Sequence, residues 1–166
     1  MQDELLDIVN EQNQVIGQMM RSEVYKNKQS NFRAVNAFLV NDTGKLWIPR
    51  RIKTKKLFPD CLDASVAGHV AAGETYQEGL VRETMEELGI DLAKQPYECL
   101  GLMTPHVHGT SAFANVYLIR TNDVPSYNRK DYYEFYWLSP KQLIDRLENG
   151  DKSKSDLPIM VRNFFL

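Results

Sequence analysis

Hydrophobic and polar residues alternate over several short runs, and this alternation predicts a protein rich in β-strands. Branched and aromatic side chains at alternating positions are typical of strands, because they pack well on a pleated, half-buried surface. Polar turn-forming residues lie between the first and second runs and between the third and fourth runs. Each of these pairs of runs is therefore predicted to form a hairpin. The predicted strands cover residues 5–9, 14–18, 33–40, 45–49, 97–103, 111–120 and 132–138.

Helix-start and helix-stop residues predict one long helix in the middle of the chain. Thr75, with Glu78 three positions later, matches a capping box, in which each side chain accepts a hydrogen bond from the other residue's backbone N–H. Gly89 stands where a left-handed C-terminal cap belongs. We therefore predict a helix from Tyr76 to Leu88.

Three further helices are predicted nearer the ends of the chain. Ser22 is a candidate cap for a short helix that begins at Glu23. Ser139, followed by a proline, starts a helix that Gly150 ends. A last short helix runs from Pro158 onward.

The combination of strands and flanking helices predicts an α/β (α+β) fold, in which helices cover a mixed sheet. A chain of 166 residues is close to the usual size of one domain. We predict a single domain over residues 1–166, with residues 1–30 as a hairpin-like N-terminal extension.

Composition and charge exclude several classes of protein. The chain is 43% hydrophobic and 25% charged, as soluble globular domains are, and its net charge of -2 gives no general attraction to nucleic acid polymers or anionic membranes. The chain has no long apolar run, so we expect it to lack both a signal peptide and a membrane span. Two cysteines are too few for a disulfide framework, so we expect a reducing, cytoplasmic location.

The predicted central helix carries an acidic face. Glu83, Glu86 and Glu87 fall within about 100° of arc on the helix surface. Carboxylates about 6 Å apart repel by roughly 3 kcal/mol per pair at an effective dielectric near 20. A divalent cation such as Mg²⁺ or Mn²⁺ would relieve this repulsion, whereas the alternative interpretation is an ordinary solvated helix face.

The rest of the same helix predicts how it packs. We expect the stripe of Val81, Thr84, Met85 and Leu88 to lie on the sheet. Gly79, one turn before Glu83, is expected to leave room for a ligand.

A wider pattern surrounds this helix and resembles the Nudix box. Its fixed letters are a glycine, a glutamate, an arginine-glutamate pair, a glutamate pair and a final glycine. Such a match arises by chance about once in a million chains of this size or less often. The matching residues are Gly68, Glu74, Arg82, Glu83, Glu86, Glu87 and Gly89.

The resemblance implies a Nudix-like α/β/α sandwich around a central mixed sheet, and hydrolysis of a diphosphate linkage by water attack on phosphorus. It implies that Mg²⁺ (or Mn²⁺) is bound by Glu83, Glu86, Glu87 and the Gly68 carbonyl. It further implies that two catalytic-site residues, Glu74 and Arg82, hold the loop and the helix in register.

The general base is left open among several acids. Glu83 or Glu87 could serve, and so could an acid from a later loop, for which Asp131 and Glu134 are the candidates. The expected partner is a small-molecule diphosphate, such as a nucleoside diphosphate derivative, and a homodimer is a further possibility.

The sequence around the box is similar to isopentenyl diphosphate isomerases over residues 7–140. In that family, the basic residues that match Arg51 and Lys55 contact diphosphate, and the alternative interpretation is a solvated basic turn. Ala67 stands where the isomerases have a catalytic cysteine, and alanine can neither donate nor accept a proton. The isomerase histidine is replaced by Phe32.

The paired acids of a later isomerase strand appear as Ala114 and Asn115. These departures, with the intact box, favour a hydrolase. An isomerase-like enzyme and a catalytically silent diphosphate-binding module are kept as alternatives. Of the histidines, His106 and His108 are interpreted as part of a loop bordering the pocket, since no third nitrogen or thiolate ligand is in view. His69 is interpreted as a hydrogen-bonded loop residue.

Overall fold

Helices and strands account for most of residues 2–166, the part of the chain that the computed structural model describes. In chain order they are β1 (Leu5–Val9), β2 (Val15–Met20), α1 (Arg21–Lys26), β3 (Arg33–Val40), β4 (Leu46–Arg51), β5 (Val66–His69), α2 (Tyr76–Leu88), β6 (Tyr97–Met103), α3 (Pro105–His108), β7 (Phe113–Arg120), β8 (Tyr132–Leu138), α4 (Pro140–Glu148) and α5 (Asp156–Phe165).

The central sheet is mixed, as the strand pattern predicts. Its order is β6-β7-β3-β4-β8, and β5 also pairs with β3. Strand β3 runs parallel to β7, whereas the other pairs are antiparallel. Leu80 and Leu88 of α2 pack on one face of the sheet, and Leu143 of α4 with Val161 of α5 pack on the other. The expected α/β/α sandwich is confirmed.

One edge of β3 is shared by two strands, and this division opens the sheet. The end of β3 pairs with β4 through Val40 and Leu46, while its beginning pairs with β5. Fully buried Ser65 lies where the strands separate. Its hydroxyl accepts from the Leu39 N–H at 2.9 Å and donates to the Trp47 carbonyl at 2.6 Å. The hydroxyl thus replaces the ladder bonds that the separation removes.

The N-terminal hairpin packs against the start of β3 and the loop before α2. Leu6 and Ile8 share a small buried cluster with Phe32. The Asp7 carboxylate accepts a hydrogen bond from the Gly73 N–H at 3.0 Å. The hairpin therefore supports the loop that leads into the acidic helix.

Some helix ends differ from the sequence prediction. Helix α1 begins at Arg21, with Met20 at the cap position, so the prediction of Ser22 as the cap is wrong. The Ser22 N–H instead donates to the Asp3 carboxylate at 3.0 Å. Helix α5 begins at Asp156 rather than at the proline, which the first helical turn tolerates. The helix predicted to end at Gly150 stops at Glu148.

Helix α2 has the predicted capping box and left-handed Gly89, but its buried stripe is rotated. Val81 and Met85 are 39% and 47% exposed, so they do not pack on the sheet as predicted. The buried side instead consists of Gly79, Leu80, Glu83, Thr84 and Leu88. The helix therefore turns part of its acidic face inward.

Gly79 does not leave room for a ligand, contrary to the prediction. A Cβ at this position would lie 3.4 Å from a Glu74 carboxylate oxygen and 3.4 Å from a Val70 methyl. The space beside Gly79 is taken by the loop that precedes the helix.

A buried charge cluster joins β4 and β8 to the loop after α4. The Arg50 guanidinium, whose side chain is 8% exposed, donates to Asp151 at 2.8 and 2.9 Å and to Glu134 at 2.8 Å. Hydrogen bonds from Arg50 hold the pKa of the Asp151 carboxyl well below its usual range. Ionised Asp151 therefore stabilises the folded state.

We expect Asp151→Asn to lower the free energy of unfolding at pH 7 by about 3 kcal/mol, because it leaves the Arg50 charge incompletely paired. Since the folded-state pKa of Asp151 is depressed, its contribution is present above about pH 4 and is lost as the pH falls further. Urea unfolding at pH 7 and pH 3 measures this difference. Asp145→Asn, which removes an exposed pair with Lys141, is the control with a small effect. Equal free energies of unfolding for Asp151→Asn and the wild-type protein at pH 7 would contradict the stabilising role of ionised Asp151.

Candidate active site

A cavity of about 330 Å³ lies between β5, α2 and the start of β8. It collects most of the charged residues that the sequence analysis selected, together with side chains from the N-terminal segment. Its lining residues are Glu4, Arg21, Arg51, Lys55, Ala67, Gly68, His69, Glu83, Glu86, Glu87, Asn128, Asp131 and Tyr132.

Glu83 is tucked against β5. A Cβ on Gly68 would lie 2.2 Å from the Glu83 carboxyl carbon, so only glycine admits this approach. The Glu83 carboxylate accepts from Arg82 Nη1 at 2.7 Å. Burial nevertheless raises the pKa of Glu83 to about 7, and the arginine only partly opposes that rise. Glu83 is therefore a desolvated acid that a further positive charge would stabilise.

Glu87 is partly buried and has weaker partners than Glu83. Its carboxylate accepts from the Ala67 N–H at 3.2 Å and from the Tyr132 hydroxyl at 3.4 Å. Burial, reinforced by the charge of Glu83, raises the pKa of Glu87 well above its usual value. Glu86 is the exposed member, with a side chain that is 59% accessible.

Arg82 connects the helix to the loop before it. Its guanidinium donates to Glu74 at 2.7 and 2.9 Å and to the His69 carbonyl at 3.1 Å. Glu74 also accepts from the Ala71 N–H at 2.8 Å. Arg82 reaches Glu86 more loosely, at 3.6 Å. The pair of Arg82 and Glu74 thus sets the position of β5 relative to α2.

The donor atoms on the cavity wall fit a hard divalent cation. They are carboxylate and backbone oxygens, which Mg²⁺ and Mn²⁺ prefer. Within residues 2–166, no three acidic, histidine or cysteine side chains converge into a complete cation cage. A Mg²⁺ ion does not require such a cage, because it commonly takes one or two carboxylates and completes its shell with water and phosphate oxygens. The raised pKa values of Glu83 and Glu87 also favour a bound divalent cation, because a nearby positive charge stabilises the ionised carboxylates.

Lys55 and Asp131 face each other across the cavity mouth. The Lys55 ammonium lies 2.5 Å from the Asp131 carboxylate. Arg51 also lines the cavity, but its guanidinium is engaged by the Leu57 and Phe58 carbonyls, each at 3.1 Å. Both predicted diphosphate contacts therefore line the cavity, and both are paired with oxygen atoms of the protein.

Glu134 is not brought to this cavity. The pairing of β4 with β8 slips at a β-bulge, so that Arg50 faces Glu134 while Arg51 faces Tyr132. Neighbouring strand residues point to opposite faces, so the bulge turns Tyr132 toward α2 and Glu134 away from it. The Glu134 carboxylate accepts from Arg50 and from the Tyr136 hydroxyl instead.

The histidines take structural positions. Burial lowers the pKa of His69 to about 3, and its Nε2 lies 2.8 Å from the Tyr25 hydroxyl. In α3, the Nδ1 of His108 accepts from the Thr104 N–H at 3.0 Å. Neither His106 nor His108 lines the cavity.

Several cavity residues were missed by sequence reasoning. Glu4 and Arg21 come from the N-terminal hairpin and helix, and no local motif marks them. Tyr132 follows the candidate Asp131 directly, but its place beside Glu87 depends on the bulge.

No helix within residues 2–166 is long and apolar enough to cross a membrane.

Comparisons with known proteins agree with this geometry. The NUDIX domain family matches residues 30–157. An uncharacterised Nudix hydrolase of Nostoc is 51% identical to this chain, and the match covers 99% of this chain and 98% of the relative. A crystal structure from Deinococcus radiodurans superposes with a TM-score of 0.92 at 39% identity, covering 98% of this chain and 100% of that one.

A more distant relative, an isopentenyl-diphosphate Delta-isomerase of Paenarthrobacter aurescens, is 27% identical over 88% of this chain and 82% of its own length. That match agrees with the isomerase-like surroundings of the box. Nudix hydrolases act on small molecules and generally need divalent metal ions. The intact box, the arrangement of its acids and these matches together show that the chain belongs to the Nudix family and is a hydrolase that acts on pyrophosphate bonds.

Proposed function

We propose that the protein hydrolyses the diphosphate linkage of a nucleoside diphosphate derivative or another small organic diphosphate, with Mg²⁺ or Mn²⁺, by water attack on phosphorus. One observation carries the proposal: Glu83, Glu86 and Glu87 share the wall of one cavity, and the first and last of them are desolvated. Such carboxylates are stabilised when a cation binds between them.

Glu83, Glu86, Glu87 and the Gly68 carbonyl are the proposed metal ligands. A bound divalent ion supplies charge neutralisation on the phosphate and a lowered pKa for the attacking water. The protein's own part is to hold the carboxylates in place. Arg82 does so by bonding Glu83 and Glu74 at once.

Lys55 is the proposed diphosphate-binding cation, and it lines the same cavity as the acidic residues. Its ammonium can donate to phosphate while its pairing with Asp131 keeps it in position. For the general base, three of the four candidates line the cavity, namely Glu83, Glu87 and Asp131. Glu134 is not proposed, since Arg50 and Tyr136 hold its carboxylate elsewhere.

The isomerase alternative is disfavoured at one position. Strand β5 places Ala67 where the isomerase resemblance calls for a cysteine, and a methyl group transfers no proton. A cytoplasmic location, a homodimer and a single domain over residues 1–166 stay predictions from the sequence.

A substrate panel tests the proposed reaction. Nucleotide sugars, dinucleoside polyphosphates, ADP-ribose, coenzyme A, nucleoside di- and triphosphates and isopentenyl diphosphate are incubated with the protein and Mg²⁺ or Mn²⁺. We expect metal-dependent release of inorganic phosphate or of a nucleoside monophosphate from at least one of them. Tight binding without any turnover would favour the silent module, and double-bond migration in isopentenyl diphosphate would favour the isomerase.

We expect Glu86→Gln and Glu87→Gln each to lower kcat by about 100-fold or more, because a metal ligand contributes several kcal/mol to charge stabilisation in the transition state. Glu98→Gln, which changes an exposed glutamate of β6, is the matched control and should retain wild-type kcat. Circular dichroism checks that the fold is intact. Wild-type kcat in both cavity variants would overturn the proposed metal site.

We expect Lys55→Met to lower kcat/KM by about 10- to 100-fold, since a hydrogen bond from a charged group contributes about 1.5–3 kcal/mol. Lys53→Met, in the same loop, is the control, because Lys53 lies over the Tyr133 ring and does not line the cavity. Steady-state kinetics on the panel's best substrate provides the measurement. Equal losses in the two variants would argue against a specific diphosphate contact for Lys55.

A further inference from the structure

Tyr132, the first residue of β8, brings a hydroxyl group into contact with the acidic helix. It is 1% exposed and lines the active-site cavity. It nevertheless belongs to none of the three hydrophobic clusters formed by residues 2–166. A buried tyrosine usually has a hydrogen-bond partner for its hydroxyl, and here that partner is the Glu87 carboxylate. Tyr132 therefore contributes a specific polar contact to the site as well as a ring.

A β-bulge turns Tyr132, and not the next tyrosine, toward this helix. Regular continuation of the pairing between β4 and β8 would place Tyr133 opposite Arg51, but the bulge brings Tyr132 there. Tyr133 is 40% exposed, and its hydroxyl donates to the Asp60 carboxylate at the surface. Bulges next to active sites commonly re-aim a side chain in this way. The bulge thus selects which of two adjacent tyrosines meets Glu87.

The Tyr132 hydroxyl and one backbone N–H bind the same oxygen atom of Glu87. Oε2 accepts from the Ala67 N–H at 3.2 Å and from the Tyr132 hydroxyl at 3.4 Å, and no hydrogen bond within residues 2–166 reaches Oε1. The longer separation shortens when a cation keeps the carboxylate ionised, because ionised acceptors form shorter and stronger hydrogen bonds. The protein therefore holds one oxygen of Glu87 and leaves the other for a cation.

Backbone hydrogen bonds tie the same glutamate to the turn before β8. The Asn128 N–H donates to the Glu87 carbonyl at 3.0 Å. The Asn128 carbonyl in turn accepts from the Asp131 and Tyr132 N–H groups, both at 3.0 Å. The Tyr132 hydroxyl closes this ring by returning to the Glu87 side chain. Because the turn also carries Asp131, which pairs with Lys55, the ring sets the position of the acidic helix relative to these two residues.

We propose that Tyr132 is a positioning residue of the hydrolytic site, whose hydroxyl holds Oε2 of Glu87 so that Oε1 is presented to the divalent cation. The inference rests on the proposed function, because it takes Glu87 as a ligand of that cation. Tyr132 acts through Glu87 and touches neither the cation nor the substrate. Loss of a partner that orients a metal-binding carboxylate typically lowers metal affinity or activity by about 10- to 100-fold. The phenol donates in its neutral form, so the contact adds no charge to the acidic wall.

Tyr132→Phe tests this role, because it keeps the ring and removes only the hydroxyl. Binding of Mn²⁺ to the full-length protein without substrate is measured through the electron paramagnetic resonance signal of free Mn²⁺. We expect the dissociation constant to rise by about tenfold or more, and kcat with Mg²⁺ to fall by a similar factor while KM is nearly unchanged. Tyr133→Phe is the matched control with wild-type values, since it removes the neighbouring hydroxyl, whose partner Asp60 does not line the cavity.

Two further measurements separate the orientation of Glu87 from a general effect on the fold. In the Glu87→Gln background, Tyr132→Phe should change the Mn²⁺ dissociation constant by less than about twofold, because residues that act through one another have non-additive effects. Without any substitution, Mg²⁺ should shift the NMR signal of the Tyr132 Cζ carbon, which reports on the hydrogen bond of the hydroxyl, and leave that of Tyr133 in place.

The outcomes distinguish this inference from the proposed function. Unchanged Mn²⁺ affinity in Tyr132→Phe, additive effects with Glu87→Gln, or an unshifted Tyr132 signal would each overturn the inference, and diphosphate hydrolysis by the wild-type protein would leave the proposed function standing. Weakened Mn²⁺ binding in Tyr132→Phe, with no diphosphate hydrolysed by the wild-type protein, would support the positioning of Glu87 and refute the proposed function.

Discussion

The burial of acidic side chains between α2 and β5 is the constraint on which the site depends. Glu83 approaches the backbone of Gly68 so closely that no other residue fits there. Arg82 makes this approach tolerable by bonding Glu83 and Glu74 together. The arginine does not fully offset desolvation, because the pKa of Glu83 is still raised to about 7. The folded protein thus retains an electrostatic cost that a cation relieves.

The edge of β3 is divided between β4 and β5, and this division positions the strand against which the acidic side chains pack. Ser65 satisfies the backbone where β3 and β4 separate, and β5 occupies the remaining edge. Two cavities then meet across β5. The same division that exposes the backbone of Gly68 to the carboxylates therefore leaves a second pocket beside them.

Local features of the sequence predicted the parts of the structure that local interactions determine. The capping box and Gly89 set both ends of α2, so the acidic face was predictable from spacing alone. The rotation of the buried stripe was not, because it follows from packing Glu83 against β5. The bulge that separates Tyr132 from Glu134 likewise depends on pairing with β4.

The Mg²⁺ dependence of thermal unfolding tests most directly whether the buried carboxylates form a cation site. A ligand that binds only the folded state raises the midpoint as its concentration rises above its dissociation constant. We predict that Mg²⁺ raises the midpoint of the wild-type protein and that Glu87→Gln greatly reduces this shift. Identical midpoints of the wild-type protein with and without millimolar Mg²⁺ or Mn²⁺ would contradict the account.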